Sequence, residues 1–143
     1  MENNNDNKGC VCQILKKIDK LQKEVENKKT LDTCDRLFLG NVPENICNTR
    51  PFTLLCCNGR FKAFFQNGLE LLNTEVFRVE KVDKCCAQLR CLQLVSSDPL
   101  IDPIFDNIYN PAISIQATNN FVAVNLNCIC GIQCLTDIHL NLC

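Results

Sequence analysis

The sequence predicts a mainly β protein, an antiparallel β-sandwich of jelly-roll-like type, with one α-helix at its N-terminal end. Short runs of alternating apolar and polar residues, separated by turn residues, follow one another from Arg36 onward, which is typical of antiparallel sheets. An earlier stretch repeats its apolar residues at steps of three and four, as an amphipathic helix does. At 143 residues, the chain has the length of one compact domain.

We divide the chain into three parts. Residues 1–9 are polar and are predicted to form a disordered arm, and residues 10–30 are predicted to form the helix. The cysteine-rich β-domain follows at residues 34–143. The helix either packs on its own domain or pairs with a neighbouring subunit, and the sequence leaves both open. Its predicted apolar stripe consists of Val11, Ile14, Ile18, Leu21 and Val25.

The first strands are predicted around a hairpin. The run "RPFTLLCC" is followed by Asn58-Gly59 and then by "RFKAFF", and an Asn-Gly pair between two β-rich runs favours a tight turn. Further along, Phe77 and Val79 are predicted to lie on one face of a strand, with Arg78 and Glu80 on the other face.

Two later strands and one loop complete the predicted β-domain. One strand places Ala87, Leu89 and Cys91 on a common face. Residues 98–110 are rich in proline and are predicted to form a long loop. The stretch "FVAVNLNCIC" predicts a strand whose common face consists of Val122, Val124, Leu126, Cys128 and Cys130.

Composition excludes several functional classes. A formal net charge of −1 gives no electrostatic reason to bind nucleic acid or a membrane. No apolar run approaches the roughly 18 residues of a transmembrane helix, and the N-terminal residues do not resemble a secretion signal. The chain is therefore expected to remain in the cytosol, at least at first. His139 is the sole histidine, and neither a nucleophile elbow nor a phosphate loop is present, so we expect neither an enzyme nor a cofactor.

The 13 cysteines are the most informative feature of the composition. Their number is odd, so at least one sulfur cannot pair within a single chain. Two pairs are adjacent, Cys56-Cys57 and Cys85-Cys86, and neighbouring Cα atoms about 3.8 Å apart are too close for an unstrained disulfide. Adjacent residues of a strand point to opposite faces. Each pair should therefore place one sulfur in the core and one on the surface, where it can reach another chain.

Metal binding is the alternative use for these thiols. Structural zinc sites usually hold paired ligands at C-x2-4-C spacing, and the chain contains no C-x-x-C. We expect no metal, but the sequence leaves open a zinc or copper thiolate site formed by Cys128, Cys130, Cys134 and a distant fourth cysteine. The missing C-x-x-C also disfavours a thiol oxidoreductase of thioredoxin type.

Several motifs resemble one known family. They are "NTRPF" at 48–52, "FRVE" at 77–80, "CAQLRCL" at 86–92 and "VNLNCICGIQCL" at 124–135. In these stretches the chain resembles the CotY/CotZ/ExsY family of cysteine-rich spore coat and exosporium proteins, and the likeness extends over about residues 34–138. Cys57 and Cys91 depart from the family pattern as additional thiols.

The resemblance implies a non-enzymatic structural protein of the spore surface, in the outer coat, crust or exosporium. Such a protein is made in the mother-cell cytoplasm, assembles with itself into hexamers and two-dimensional lattices, contacts other coat and exosporium proteins, and is then hardened by disulfides. A coat adaptor that recruits another protein without tiling is a further alternative.

We assign the cysteines to two roles within this scheme. Sulfurs in termini and loops can meet sulfurs of another chain, and the others are expected to be mainly intramolecular or core thiols. The intermolecular candidates are Cys10, Cys12, Cys34, Cys47 and Cys143. The intramolecular or core candidates are Cys56, Cys86, Cys91, Cys128, Cys130 and Cys134.

Overall fold

The computed structural model describes residues 9–30 and 47–142 and, within these ranges, the side chains of all but residues 27–30. Nearly all of the predicted arm at residues 1–9 lies outside the described residues. The same is true of the intermolecular candidates Cys34 and Cys143.

One α-helix and eight β-strands form the described part of the chain. They are α1 (Cys10–Thr30), β1 (Phe52–Cys56), β2 (Gly59–Arg60), β3 (Ala63–Asn67), β4 (Glu70–Thr74), β5 (Phe77–Asp83), β6 (Cys86–Ser96), β7 (Ile113–Asn125) and β8 (Gly131–Cys134). Two 3₁₀ turns accompany them, at Phe105–Asn107 and Leu126–Cys128.

The strands form two antiparallel sheets. The larger sheet has the order β2-β1-β5-β6-β7. Strands β2 and β5 pair with the same edge of β1, at different residues, and β8 pairs with its opposite edge. Strands β3 and β4 form a separate hairpin. The sheets are arranged as in a sandwich, and α1 packs against β5. The prediction of a mainly β fold with one N-terminal helix is therefore confirmed, and the helix packs on its own domain.

The buried face of α1 differs from the predicted stripe by about one position. Val11 and Ile18 are buried as predicted, but Leu21 is 49% exposed and the buried residue beside it is Gln22. The Gln22 side-chain amide donates to the Val79 carbonyl at 2.8 Å, and its oxygen accepts from a backbone N–H at 3.1 Å. These hydrogen bonds satisfy the buried amide, so Gln22 takes the buried position on the helix that the apolar periodicity predicts for Leu21.

The predicted hairpin turns one residue earlier than its Asn-Gly pair indicates. Cys56 pairs with Gly59, so the turn residues are Cys57 and Asn58. Gly59 has φ of +126°, a conformation that residues with a Cβ rarely adopt. Strand β2 contains only two residues, because the chain then leaves the larger sheet and forms β3.

The central strands confirm most of the predicted core. Phe77 and Val79 of β5 are fully buried, and so are Ala87, Leu89 and Cys91 of β6. The predicted loop at 98–110 lies between β6 and β7 and contains the turn Phe105–Asn107.

Arg78, predicted to lie on the strand face opposite Phe77 and Val79, is only 3% exposed. Its guanidinium donates to the Thr49 hydroxyl at 2.8 Å and to carboxylate oxygens of Glu26 and Glu80 at 2.8 and 2.7 Å. Five guanidinium donors allow one buried side chain to bind three elements at once. Arg78 therefore holds α1 and the segment before β1 against the sheet.

The last predicted strand ends earlier than expected. β7 stops at Asn125, whose side chain accepts from the Asn127 backbone N–H at 3.0 Å and so begins the turn Leu126–Cys128. Cys128 and Cys130 consequently do not continue the strand face of Val124, and both are exposed. The asparagine hydrogen bond competes with the sheet ladder at this point, which hydrophobic alternation does not reveal.

Candidate functional site

The disulfide Cys12–Cys85 joins the first turn of α1 to the turn between β5 and β6. Lys84 and Cys85 occupy this turn with φ of 50° and 64°, and both sulfur-bearing residues are buried. The prediction that Cys12 forms an intermolecular bridge is corrected, since α1 begins at Cys10 and thereby turns Cys12 toward the sheet. A cysteine expected to lie in an accessible terminus is part of the core.

The adjacent cysteines partly follow the prediction of one inner and one outer sulfur. In the second pair, Cys85 is buried and Cys86 exposed, which reverses the assignment of Cys86 to the core. The reason is that Cys85 lies in the turn, whose backbone directs its side chain inward, whereas Cys86 begins β6. In the first pair, Cys56 is half-buried, whereas Cys57 lies in the turn after β1 and is exposed.

Most of the exposed sulfurs lie in or beside the turn between β5 and β6, the turn after β1, and residues 126–130 between β7 and β8. Backbone hydrogen bonds bring the neighbouring segments together there: the Leu126 N–H donates to the Cys85 carbonyl at 2.9 Å, and the Cys130 N–H donates to the Leu55 carbonyl at 2.8 Å. We name this region the thiol-rich end. It comprises Cys10, Cys56, Cys57, Cys86, Cys128 and Cys130.

Within the thiol-rich end, Cys57 and Cys130 are in direct contact. Their sulfur atoms lie 3.4 Å apart, and both side chains are exposed. The hydrogen bond with Cys57, together with the negative charge of the Cys57 thiolate, raises the pKa of Cys130. The nearby Cys56 thiol acts in the same direction on that pKa. Sequence spacing could not identify this contact, because the two residues are 73 positions apart.

The opposite end of β1 holds Cys47 and Cys134, both exposed. Cys47 donates to the Asp137 carbonyl at 3.6 Å. The Asp137 carboxylate accepts two hydrogen bonds from Arg50, at 2.8 and 3.0 Å, and these bonds lower the pKa of Asp137. We name this region the Arg50 end.

Strand pairing gives the separation of Cys134 at the Arg50 end from Cys86 at the thiol-rich end. Cys134 pairs with Phe52, Phe52 pairs with Phe77, and β5 then runs from Phe77 to Asp83, which pairs with Cys86. Six residue steps at about 3.3 Å place Cys134 and Cys86 about 20 Å apart along the strands.

Cys91 belongs to neither end. It is fully buried, its sulfur faces the Phe64 carbonyl at 4.0 Å, and burial raises its pKa. A thiol that resists ionisation is a poor nucleophile, so Cys91 contributes packing and not surface chemistry.

The structure does not assemble the alternative metal site. Among the described residues, no three cysteine, histidine or acidic side chains are placed to hold one metal ion together. Cys128, Cys130 and Cys134 are all exposed and do not converge, because β8 carries Cys134 to the Arg50 end.

An antiparallel β-domain with exposed thiols at both ends defines a cysteine-rich protein whose surface chemistry is that of sulfur. The chain matches the family model described as Spore coat protein Z over residues 1–137 and belongs to this family. It is 28% identical to Spore coat protein Z of Bacillus subtilis (strain 168) over 138 residues, which is 92% of each chain. No solved structure matches the chain.

Family membership confirms the resemblance found in the sequence motifs and gives the protein a structural role in the coat at the spore surface. Within residues 9–30 and 47–142, no helix combines the length and apolar character needed to cross a membrane.

Proposed function

We propose that the protein assembles with itself into a two-dimensional layer, with hexamers as the repeating unit, and that intermolecular disulfides then lock this layer. It acts without catalysis, and its partners are further copies of the chain and other coat or exosporium proteins. The observation that carries the proposal is the exposure of seven of the nine free cysteines in the described part of the chain. Sulfurs on the surface are accessible to other copies.

The positions of these sulfurs support an extended assembly. Cys86 of the thiol-rich end and Cys134 of the Arg50 end lie about 20 Å apart along the strands, so the exposed sulfurs are spread over the surface. A copy that is cross-linked at one end only would form closed pairs, whereas links at both ends let each copy join several neighbours. Cys10 and Cys47 are exposed at the two ends and remain our intermolecular candidates among the described residues.

Exposed apolar side chains support assembly before cross-linking. The hairpin of β3 and β4 carries Phe64, 62% exposed, and Leu71, 71% exposed, with Leu69 fully exposed at its tip. Apolar side chains grouped on a surface favour protein–protein contact, and a net charge near zero offers little repulsion between copies. Reversible contacts of this kind allow copies to find their places first.

Covalent locking follows when the surroundings become oxidising. Thiols remain reduced in the cytosol, and disulfides form when reducing systems fail. A layer chosen by non-covalent contacts is then fixed by bonds between copies.

The proposal is tested on protein purified under reducing conditions. Electron microscopy of the protein alone should show ordered sheets, and oxidation should produce a ladder of high-mass species that reductant removes from a gel. Replacing exposed Cys10 and Cys47 by serine should thin this ladder, and replacing buried Cys91 by alanine should not.

Three outcomes would contradict the proposal. A ladder that resists reductant would exclude disulfide locking. Soluble monomers alone would support the non-tiling adaptor, and stoichiometric zinc with unfolding on chelation would support the metal-thiolate module.

A further inference from the structure

The contact between Cys57 and Cys130 is built by strand β1. Cys57 follows Leu55 by two residues, and the Leu55 carbonyl accepts the Cys130 N–H at 2.8 Å. Gly131 pairs with Leu55, and a Cβ at that glycine would lie 3.4 Å from the leucine side chain, so the two segments are closely packed. One strand therefore fixes both sulfurs, 3.4 Å apart.

We propose that Cys57 and Cys130 form a redox-active pair, which closes into an intramolecular disulfide and then passes this disulfide to a thiol of a second copy. A disulfide needs a sulfur separation of about 2.05 Å, so the sulfurs must approach by only about 1.4 Å from their present 3.4 Å. Closure is a property of a single chain. The transfer step rests on the proposed function, since it requires copies that associate.

Exposure distinguishes the Cys57–Cys130 pair from the disulfide Cys12–Cys85. Cys12 and Cys85 are buried, so an incoming thiolate cannot reach their sulfurs. Cys57 and Cys130 are both exposed, and exchange depends on such access. The described residues thus hold one protected disulfide and one site for an exchangeable disulfide.

Closure uses a low-molecular-weight disulfide, RSSR, as oxidant. The Cys57 thiolate attacks one sulfur of RSSR, which forms a mixed disulfide and releases RS⁻. The Cys130 thiolate then attacks the Cys57 Sγ, forms the intramolecular bond and releases a second RS⁻. Two electrons pass from the protein to RSSR, and the two protein thiol protons end on two RSH molecules.

Transfer consumes no further oxidant. A thiolate of the second copy attacks one sulfur of the closed pair, an intermolecular S–S bond forms, and the Cys57–Cys130 bond breaks. The displaced thiolate takes up the proton that the incoming thiol lost. The cross-link therefore arises by exchange between associated copies.

Closure is tested on the dilute, full-length protein in buffers of reduced and oxidised glutathione, with iodoacetamide trapping and peptide mapping. The expected result is a Cys57–Cys130 peptide link in the monomer, with both residues losing alkylation in parallel as the buffer becomes oxidising. Cys57→Ser should leave Cys130 alkylated or glutathionylated. The matched controls Cys56→Ser and Cys128→Ser should retain the link. Independent alkylation of Cys57 and Cys130 in oxidising buffer, or a link from either one to Cys56 or Cys128, would overturn the proposal.

Transfer is tested by mixing the closed, ¹⁵N-labelled protein with reduced, unlabelled protein. Mixed-isotope cross-links should contain Cys57 or Cys130, and they should form on the order of tenfold more slowly for Cys57→Ser, which has no disulfide to exchange. Equal rates would exclude transfer even where closure occurs. Closure in a protein that never forms sheets would contradict the proposed function and leave the closure step intact, so the two failures can be told apart.

Discussion

The disulfide Cys12–Cys85 should supply a large share of the stability of the isolated domain. It joins residues 73 positions apart, and it fixes the start of α1 to the turn between β5 and β6. The informative perturbation is the double variant Cys12→Ala/Cys85→Ala. Both sulfurs are removed together, so no unpaired buried thiol is left to form a new link.

The loop length gives the size of the effect. Opening a closed loop of 73 residues restores chain entropy to the unfolded state, and the usual loop-closure relation converts this to about 4 kcal/mol at 25 °C. Domains of this size unfold with a free energy of about 5–15 kcal/mol. The double variant should therefore lose about a quarter or more of its stability.

Urea unfolding followed by far-UV circular dichroism measures this loss, after the exposed thiols of the native protein have been blocked with iodoacetamide. Cys10→Ala is the matched control, because Cys10 lies on the same helix and is exposed, and it should change the unfolding free energy by less than about 0.5 kcal/mol. A double variant within about 1 kcal/mol of the parent would refute the reasoning, since the disulfide would then constrain little of the unfolded chain.

Three further predictions concern stability. Arg78→Lys should lower the free energy of unfolding in urea by about 2–3 kcal/mol, because an ammonium group cannot reach all three partners at once. Glu26→Gln, at the half-exposed partner of Arg78, should lower it by less than about 1 kcal/mol. Equal losses for the two variants would contradict this assignment. Thr53→Val should stabilise by about 1 kcal/mol in the same assay, because the buried hydroxyl has no hydrogen-bond partner among the described residues, and a loss would indicate such a partner. Asp137→Asn should cost less than about 1 kcal/mol at pH 7, since the ion pair with Arg50 is 42% and 44% exposed. The pKa of Asp137 is lowered, so its contribution is present above about pH 4 and is lost as pH falls through the folded value; a difference from the parent that persists in acid would contradict the assignment.

Period-two alternation predicts the central strands well, and the physical reason is burial on one face. Leu89 and Cys91 alternate with polar residues along β6, and the sheet can bury only one of these sets. The helix is predicted for the analogous reason, although its buried face is displaced toward Leu15 and Gln22. The displacement depends on a hydrogen bond to Val79, and no pattern within the helix contains that information.

Local patterns fail where a side chain is satisfied by distant partners. The sequence around Arg78 alternates, but alternation alone does not indicate that a charged residue between two apolar ones is buried. Its burial becomes favourable only because Glu26 and Thr49, far away in sequence, supply acceptors. The same limit applies to the thiols: alternation predicts that adjacent sulfurs diverge, but the turn at Cys85 decides which of the two is inside.

The attachment of α1 has one part that depends on oxidation and one that does not. At its start, the helix is held by the disulfide of Cys12, which a reducing cytosol disfavours. Further along, Gln22 and the Glu26–Arg78 ion pair hold it by hydrogen bonds that are insensitive to redox conditions. The reduced chain can therefore keep its helix docked while copies assemble. In the layer that we propose, the oxidation that links exposed sulfurs of neighbouring copies would also close the loop within each copy, so each domain would itself become harder to unfold.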